Sequence, residues 1–293
     1  MSGWLITGGA GMLAADVSAR AGATGEPVLA LGRADLDLCD ARAVRDLVAA
    51  HRPSVVVNCA AWTAVDDAEE HEDEAMEING LAVATLAEAC SLAGARLVHV
   101  STDYVFDGSA REPYGEDAPT APVNAYGRTK LAGERAALEH GHHVVRTAWL
   151  YGVAGPSFAR TMIRLAAERE TVDVVDDQRG QPTWAADLAD LLVRLAQSDA
   201  PAGVYHGTSS GETTWYGFAR EIFTLLGTDP DRVRPVPSAA FPRPAARPAN
   251  SVLGHGRWAD TGIAPIRDWR EALRAAWPAL APVASGPASR SAQ

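Results

Sequence analysis

The segment WLITGGAGMLA, Trp4 to Ala14, constrains the fold more than any other stretch of the chain. A short apolar run ends in threonine, a glycine-rich turn follows, and a helical pattern opens at about Met12. Strand, glycine turn and helix in that order predict the first unit of a parallel sheet, with a dinucleotide bound at the turn. Gly8 and Gly11 permit a tight turn and a close approach of backbone to a pyrophosphate, which then sits on the helix N-terminus. Ala14 stands at the last glycine position of the fingerprint, where alanine can fill the helix–strand packing site.

The alternation continues through the first half. Apolar runs at Pro27–Leu31, Ser54–Ala60, Arg96–Ser101 and His143–Thr147 read as strands. Between them lie helical patterns at Ala41–Ala50, Glu74–Ala93 and around Tyr126 and Lys130. Alternating strands and helices predict an α/β fold, a Rossmann-like doubly wound parallel sheet covered on both faces. After about Leu150 the pattern loosens, with helices at Phe158–Arg169, Ala185–Gln197, Thr214–Leu226 and Asp268–Trp277. Prolines crowd Arg234–Pro248, which predicts an irregular loop pinned across a surface. The expected organisation is a dinucleotide-binding domain over 1–150, with later sheet strands drawn from 151–206. A smaller mixed α/β substrate-binding lobe over 151–280 is interwoven with it, and 281–293 form a disordered tail.

Charge narrows the partners. A formal charge of −11 over 293 residues argues against nucleic acid and anionic membranes, which need a basic face. A few arginines and backbone N–H groups still suffice for a small anion. No apolar run reaches the length of a membrane span, and the N-terminus lacks the basic start and cleavage site of a signal peptide. Cys39, Cys59 and Cys90 are odd in number and lack metal-ligand spacing, and two of them sit in or beside apolar runs, so buried free thiols in a reducing compartment are expected. The chain is expected in the cytoplasm.

The second strand ends in ALGRADLDLCD. An acidic side chain there holds a free ribose 2′-hydroxyl, but this chain has Gly32 and then Arg33. Arginine suits a 2′-phosphate through charge-assisted hydrogen bonds, so NADPH is expected, with NADH the alternative. Asp37 and Leu38 are expected to border the adenine. In NAYGRTKLAGE, Tyr126 and Lys130 are four residues apart and share one helical face. Hydride delivery to a ketone needs a proton and hydrogen-bond donors at the oxygen. Tyrosine, with a pKa near 10, becomes a usable acid when a cation stabilises its phenolate. Lys130 can supply that cation and hold the nicotinamide ribose, and STDYVFDG adds the strand-end hydroxyls of Ser101 and Thr102.

The glycine turn with Tyr126-x-x-x-Lys130 resembles the extended short-chain dehydrogenases/reductases. Seven ordered blocks narrow this: VNCAAWTAVDDAE, STDYVFDG, NAYGRTKLAGE, RTAWLYG, DQRGQPTW, SGETTWYGFA and RPANSVL. Together they are similar to the dTDP-4-dehydrorhamnose reductase family over Gly3 to about Trp277, and especially to its actinomycete dTDP-dihydrostreptose synthase type.

The resemblance implies NADPH-dependent reduction of the 4-keto group of a dTDP-4-keto-6-deoxyhexose. It makes Tyr126 the proton donor and Lys130 its partner, with Thr102 on the 4-keto oxygen and Asp103 beside the sugar. Ala60, Ala61 and Trp62 are implied on the nicotinamide side, and Met12 and Leu13 at the pyrophosphate turn. Trp149 is implied against the sugar and Arg247 on the diphosphate. Some relatives dimerise through a glutamate-held metal, but MLAADV has alanines at the corresponding helix start, so no metal is carried over and monomer or homodimer stays open. The acidic run Asp66–Glu74 reads as a solvated loop and helix start. A 4,6-dehydratase would need an Asp-Glu pair after the threonine, where this chain has Asp103-Tyr104. Dihydrostreptose synthesis or another deoxysugar 4-ketoreduction is the near alternative. A non-catalytic NADP-binding regulatory subunit is the reading from another class, which the set Thr102, Tyr126 and Lys130 opposes.

Overall fold

Residues 3–281 are described by the computed structural model; the expected tail lies, from 282 onward, outside the described residues. Its centre is a sheet of six parallel strands. In chain order these are β1 (Trp4–Thr7), β2 (Val28–Leu31), β3 (Val55–Asn58), β4 (Arg96–Thr102), β5 (His143–Thr147) and β6 (Gly203–His206). Their spatial order is 6-5-4-3-1-2. The order reverses between β1 and β3, which opens a crevice beyond their C-terminal ends.

Period-two alternation divides each strand between two cores. Leu5, Val56, Leu97 and Val144 face one, and Ile6, Val57, Val98 and Val145 the other. The chain forms nine α-helices within the described residues: α1 (Met12–Gly22), α2 (Ala41–His51), α3 (Glu72–Met76), α4 (Ala82–Ala93), α5 (Ala125–Glu139), α6 (Phe158–Glu168), α7 (Ala185–Gln197), α8 (Trp215–Leu225) and α9 (Trp269–Leu280). Helices α1 and α7 cover one face, and α2, α4 and α5 the other. Both β6 and α7 come from the second half of the chain, so its first and second halves share one sheet. Of the remaining helices, α6, α8 and α9 enclose a separate core around Tyr151, Phe218, Phe223 and Trp269. No helix among the described residues is long and apolar enough to cross a membrane.

Three expectations change. The helix read as Glu74–Ala93 is a run from Glu72 to Ala93 broken by a π turn at Glu77–Leu81. A π turn shifts the helical phase by a fraction of a turn, too little to disturb the apolar pattern. The proline-dense stretch begins as a strand, because Val233–Val236 pairs in parallel with Val172–Val175. Pro235 is tolerated there because a two-stranded pair leaves one edge of each strand without a partner. Cys90 is buried, but Cys59 is only half-buried and Cys39 exposed; all three are free. Cys39 lies between β2 and α2 and precedes Asp40, which caps α2.

Candidate active site

Beyond the C-terminal ends of the strands lies a cleft of about 840 Å³. Its walls hold Gly8, Gly11, Met12, Leu13, Arg33, Asp37, Leu38, Ala60, Ala61, Thr102, Asp103, Tyr126, Lys130 and Trp149. Residues separated by up to 149 positions in the sequence, Thr7 to Pro156, are thus gathered into one cavity.

At one end, the turn after β1 has the shape a diphosphate needs. Gly8 has φ +73°, and a Cβ there would come within 2.8 Å of the Ala60 nitrogen. Gly11 caps α1 and no side chain bonds to its first turn, so those N–H groups remain open to an anion. Arg33 is exposed at the rim and, among the described residues, is in no ion pair. These groups fit a dinucleotide carrying a 2′-phosphate.

The other end is held by α5. Asn124 caps it, its Oδ1 accepting the Gly127 N–H at 2.8 Å, and Glu69 Oε1 accepts the Ala125 N–H at 2.7 Å. This first turn presents Tyr126 to the cleft. Burial raises the Tyr126 phenol to about 12; a hydrogen bond with the Thr102 hydroxyl opposes the rise and the charge of Asp103 adds to it. One turn on, Lys130 is 2% exposed. Its Nζ donates to the Val100 carbonyl at 2.7 Å and lies 3.3 Å from His99 Nε2. Burial lowers its ammonium to about 8, against the opposite pull of Glu134. Among the described residues no hydrogen bond joins Tyr126 directly to Lys130.

Thr102 ends β4. Its hydroxyl donates to Asp103 Oδ1 at 3.0 Å and accepts the Tyr104 N–H at 3.2 Å. Asp103 is 3% exposed, and burial raises its carboxyl to about 6 although the Ser251 and Thr102 hydroxyls pull it down. Tyr104 stands edge-on to Tyr126 with ring centroids 5.9 Å apart. A phenol thus occupies the place where a dehydratase needs a second carboxylate.

Two residues carried over by resemblance do not line the cleft. Trp62 packs with Tyr126 against Ala68, Ala75 and Ala125, one layer behind it. Its backbone N–H and carbonyl are both taken by the Asn79 side chain, at 2.9 and 3.1 Å. Arg247 donates to Asp66 Oδ1 and to the Ala245 carbonyl, each at 2.7 Å. The acidic run is therefore less solvated than its composition suggests: Asp66 holds the proline-rich loop, Glu69 caps α5, and Glu72 pairs with Arg128 at 2.6 Å.

Other residues at the site escaped sequence reasoning. Thr7, Cys59, Ile78 and Thr147 also line the cleft. Behind Lys130, Thr7, Asn58 and His99 form a buried hydrogen-bonded row. The signal was present: WLIT and VVVN are apolar runs that end in a polar residue, and RLVHVS carries a histidine within a buried run. Polar groups at the carboxyl ends of parallel strands face the crevice where ligands bind.

Residues 2–281 match the family model described as RmlD substrate binding domain. The chain is 55% identical over 284 residues to a dTDP-4-dehydrorhamnose reductase of Streptomyces griseus, covering 94% of this chain and 93% of that protein. It is 54% identical over 280 residues to a dTDP-4-keto-6-deoxy-D-glucose reductase of Streptomyces niveus, covering 94% and 97%. Its fold matches the crystal structure of a Bacillus anthracis dTDP-4-dehydrorhamnose reductase in complex with NADP. The TM-score is 0.90 at 36% identity, covering 94% of this chain and 99% of that one. The chain therefore belongs to the dTDP-4-dehydrorhamnose reductase family, an NAD(P)H-dependent oxidoreductase family, as its seven sequence blocks implied.

Proposed function

We propose that this chain reduces the 4-keto group of a dTDP-4-keto-6-deoxyhexose with NADPH, Tyr126 giving the proton, and that it works in the cytoplasm. One observation carries the reading: Thr102, Tyr126 and Lys130, far apart in sequence from the glycine turn, line the same cleft as that turn. The names of the relatives and the NADP held by the Bacillus anthracis enzyme support it.

The chain's own residues divide the work. The open N–H groups at the start of α1 would hold the diphosphate, and Arg33 the 2′-phosphate. Bound NADPH supplies a hydride to C4 of the sugar. As the C4=O π bond opens, charge collects on the oxygen, where the Thr102 hydroxyl donates a hydrogen bond. To do so it must leave Asp103 Oδ1. Tyr126 then passes its phenolic proton to that oxygen, and the product is the 4-hydroxyl sugar. The phenolate left behind is stabilised by the Lys130 ammonium, and solvent restores the proton. A phenol raised to about 12 is a poor acid alone, so the cation four residues along is what the chemistry requires.

The test is direct. Purified protein, NADPH and dTDP-4-dehydrorhamnose should give stoichiometric loss of absorbance at the nicotinamide band and a C4–H resonance in the product's NMR spectrum. Deuteride from labelled NADPH should appear at C4. No oxidation of NADPH with this or any related 4-keto sugar nucleotide would favour a non-catalytic role.

A further inference from the structure

We infer that His99 is a positioning residue that tunes the protonation of Lys130 by presenting it an N–H from Nε2; this rests on the reading of Lys130 as the partner of Tyr126.

The geometry fixes the direction of each hydrogen bond. Thr7 pairs with Asn58 across β1 and β3, and Asn58 pairs with His99 across β3 and β4. The three side chains form one row on the sheet face that α5 covers, and none is more than 1% exposed. The Ala60 N–H can only donate, and it does so to Asn58 Oδ1 at 3.2 Å. Thr7 Oγ1 donates to the same oxygen at 2.6 Å. The amide cannot turn over without setting its NH₂ against the Ala60 N–H. Asn58 Nδ2 therefore faces His99 Nδ1, at 3.0 Å, and that ring nitrogen must accept. A neutral imidazole whose Nδ1 accepts carries its proton on Nε2. Burial and the Lys130 charge keep the ring neutral, holding its pKa well below the ordinary value.

Nε2 points at Lys130 Nζ, 3.3 Å away. An ammonium has no lone pair and meets this N–H donor to donor, whereas the amine accepts it. The other groups facing Lys130 do not make that distinction by a hydrogen bond. Glu134, on its own helix, is held by Arg146 at 2.7 Å. Cys59, beyond β3, is kept neutral by burial, which raises its thiol to about 12. Tyr126, among the described residues, makes no hydrogen bond to Lys130, whose Nζ meets only His99 and the Val100 carbonyl. His99 thus lowers the pH at which Lys130 gives up its proton, and with it the pH above which kcat/KM falls. The row conducts no proton, because it passes through an amide.

Two measurements test this. In unliganded protein labelled with ¹⁵N-histidine, the long-range ¹H–¹⁵N pattern should place the His99 proton on Nε2 with Nδ1 bare. This needs no substrate, so its outcome is separate from whether the chain reduces a 4-keto sugar. In pH profiles of kcat/KM, His99→Leu should move the alkaline limb upward by about one unit, a tenfold change in proton affinity. Asn58→Asp, which can only accept from Nδ1, should reverse the tautomer and move the limb the same way. His99→Gln, which keeps an N–H on that side, should leave it in place. A proton found on Nδ1, or a folded His99→Leu enzyme whose limb coincides with wild type, would overturn the assignment.

Discussion

The indole of Trp149 lies flat on that of Trp215, with ring centroids 3.6 Å apart and planes 9° from parallel. Trp149 takes this pose from a left-handed backbone, φ 48°, which a bulky side chain rarely adopts. It also needs Gly180, where a Cβ would come within 2.5 Å of the indole. Trp149 lines the cleft while Trp215, at the start of α8, packs against the separate core of the chain's second half. The stack therefore joins the second core to the wall of the cleft.

Removing the support should loosen sugar binding. Trp215→Ala is expected to raise KM for the dTDP-sugar by about two- to tenfold with little change in kcat, the worth of one aromatic pair. Steady-state kinetics reads this, and an unchanged KM would detach the stack from substrate binding.

Arg33 stands at the cofactor rim without an ionic partner among the described residues. Arg33→Asp should weaken NADPH and narrow or reverse its advantage over NADH. Equal Michaelis constants for both cofactors before and after the change would remove Arg33 from the ribose.

Arg247 is held on Asp66 outside the cleft wall, so any contact with the diphosphate requires it to share or leave that carboxylate. Arg247→Ala should raise KM for the dTDP-sugar by about tenfold to a hundredfold, since charge-assisted hydrogen bonds are worth roughly 1.5–3 kcal/mol. Asp66→Asn should lower KM if the ion pair competes with the substrate. An effect of Arg247→Ala confined to stability would make the pair a structural clasp for the loop.

Asp103 links pH to stability. Its carboxyl titrates near 3.8 when unfolded and near 6 in the folded protein, because burial disfavours the charge. Below 3.8 both states hold the proton and nothing is lost. As pH rises through this window the unfolded state releases it first, so stability falls by about 3 kcal/mol and stays low above 6. Asp103→Asn should therefore raise Tm at pH 7 far more than at pH 4, while lowering activity through its contact with Thr102. Equal gains at both pH values would mean that the carboxylate is not the source.

Much of the site was legible because parallel sheets put strand ends together. Once TGGAGM, STDY and NAYGRTK follow strands or open helices, Gly8, Thr102 and Tyr126 must converge whatever the lobe does. The roles of Trp62 and Arg247 were less legible, because each depends on a loop whose path is set by one partner far away in sequence. Asn79, 17 residues from Trp62, fixes the first, and Asp66, 181 residues from Arg247, the second. The π turn that carries Asn79 leaves no periodic trace. Likewise the polar row behind Lys130 is visible only when three strands are set in register.

The central claim is that Tyr126 supplies the proton. Tyr126→Phe removes one hydroxyl and leaves the ring that packs with Trp62, so the fold and cofactor binding should survive. Turnover of NADPH with dTDP-4-dehydrorhamnose should then fall by about 10² to 10⁴, the usual contribution of positioned proton transfer. Lys130→Met should lower turnover and weaken NADPH as well. The decisive measurement is kcat of Tyr126→Phe beside wild type, with circular dichroism confirming the fold. A loss within that range supports the account; a folded variant that keeps more than about a tenth of wild-type turnover contradicts it.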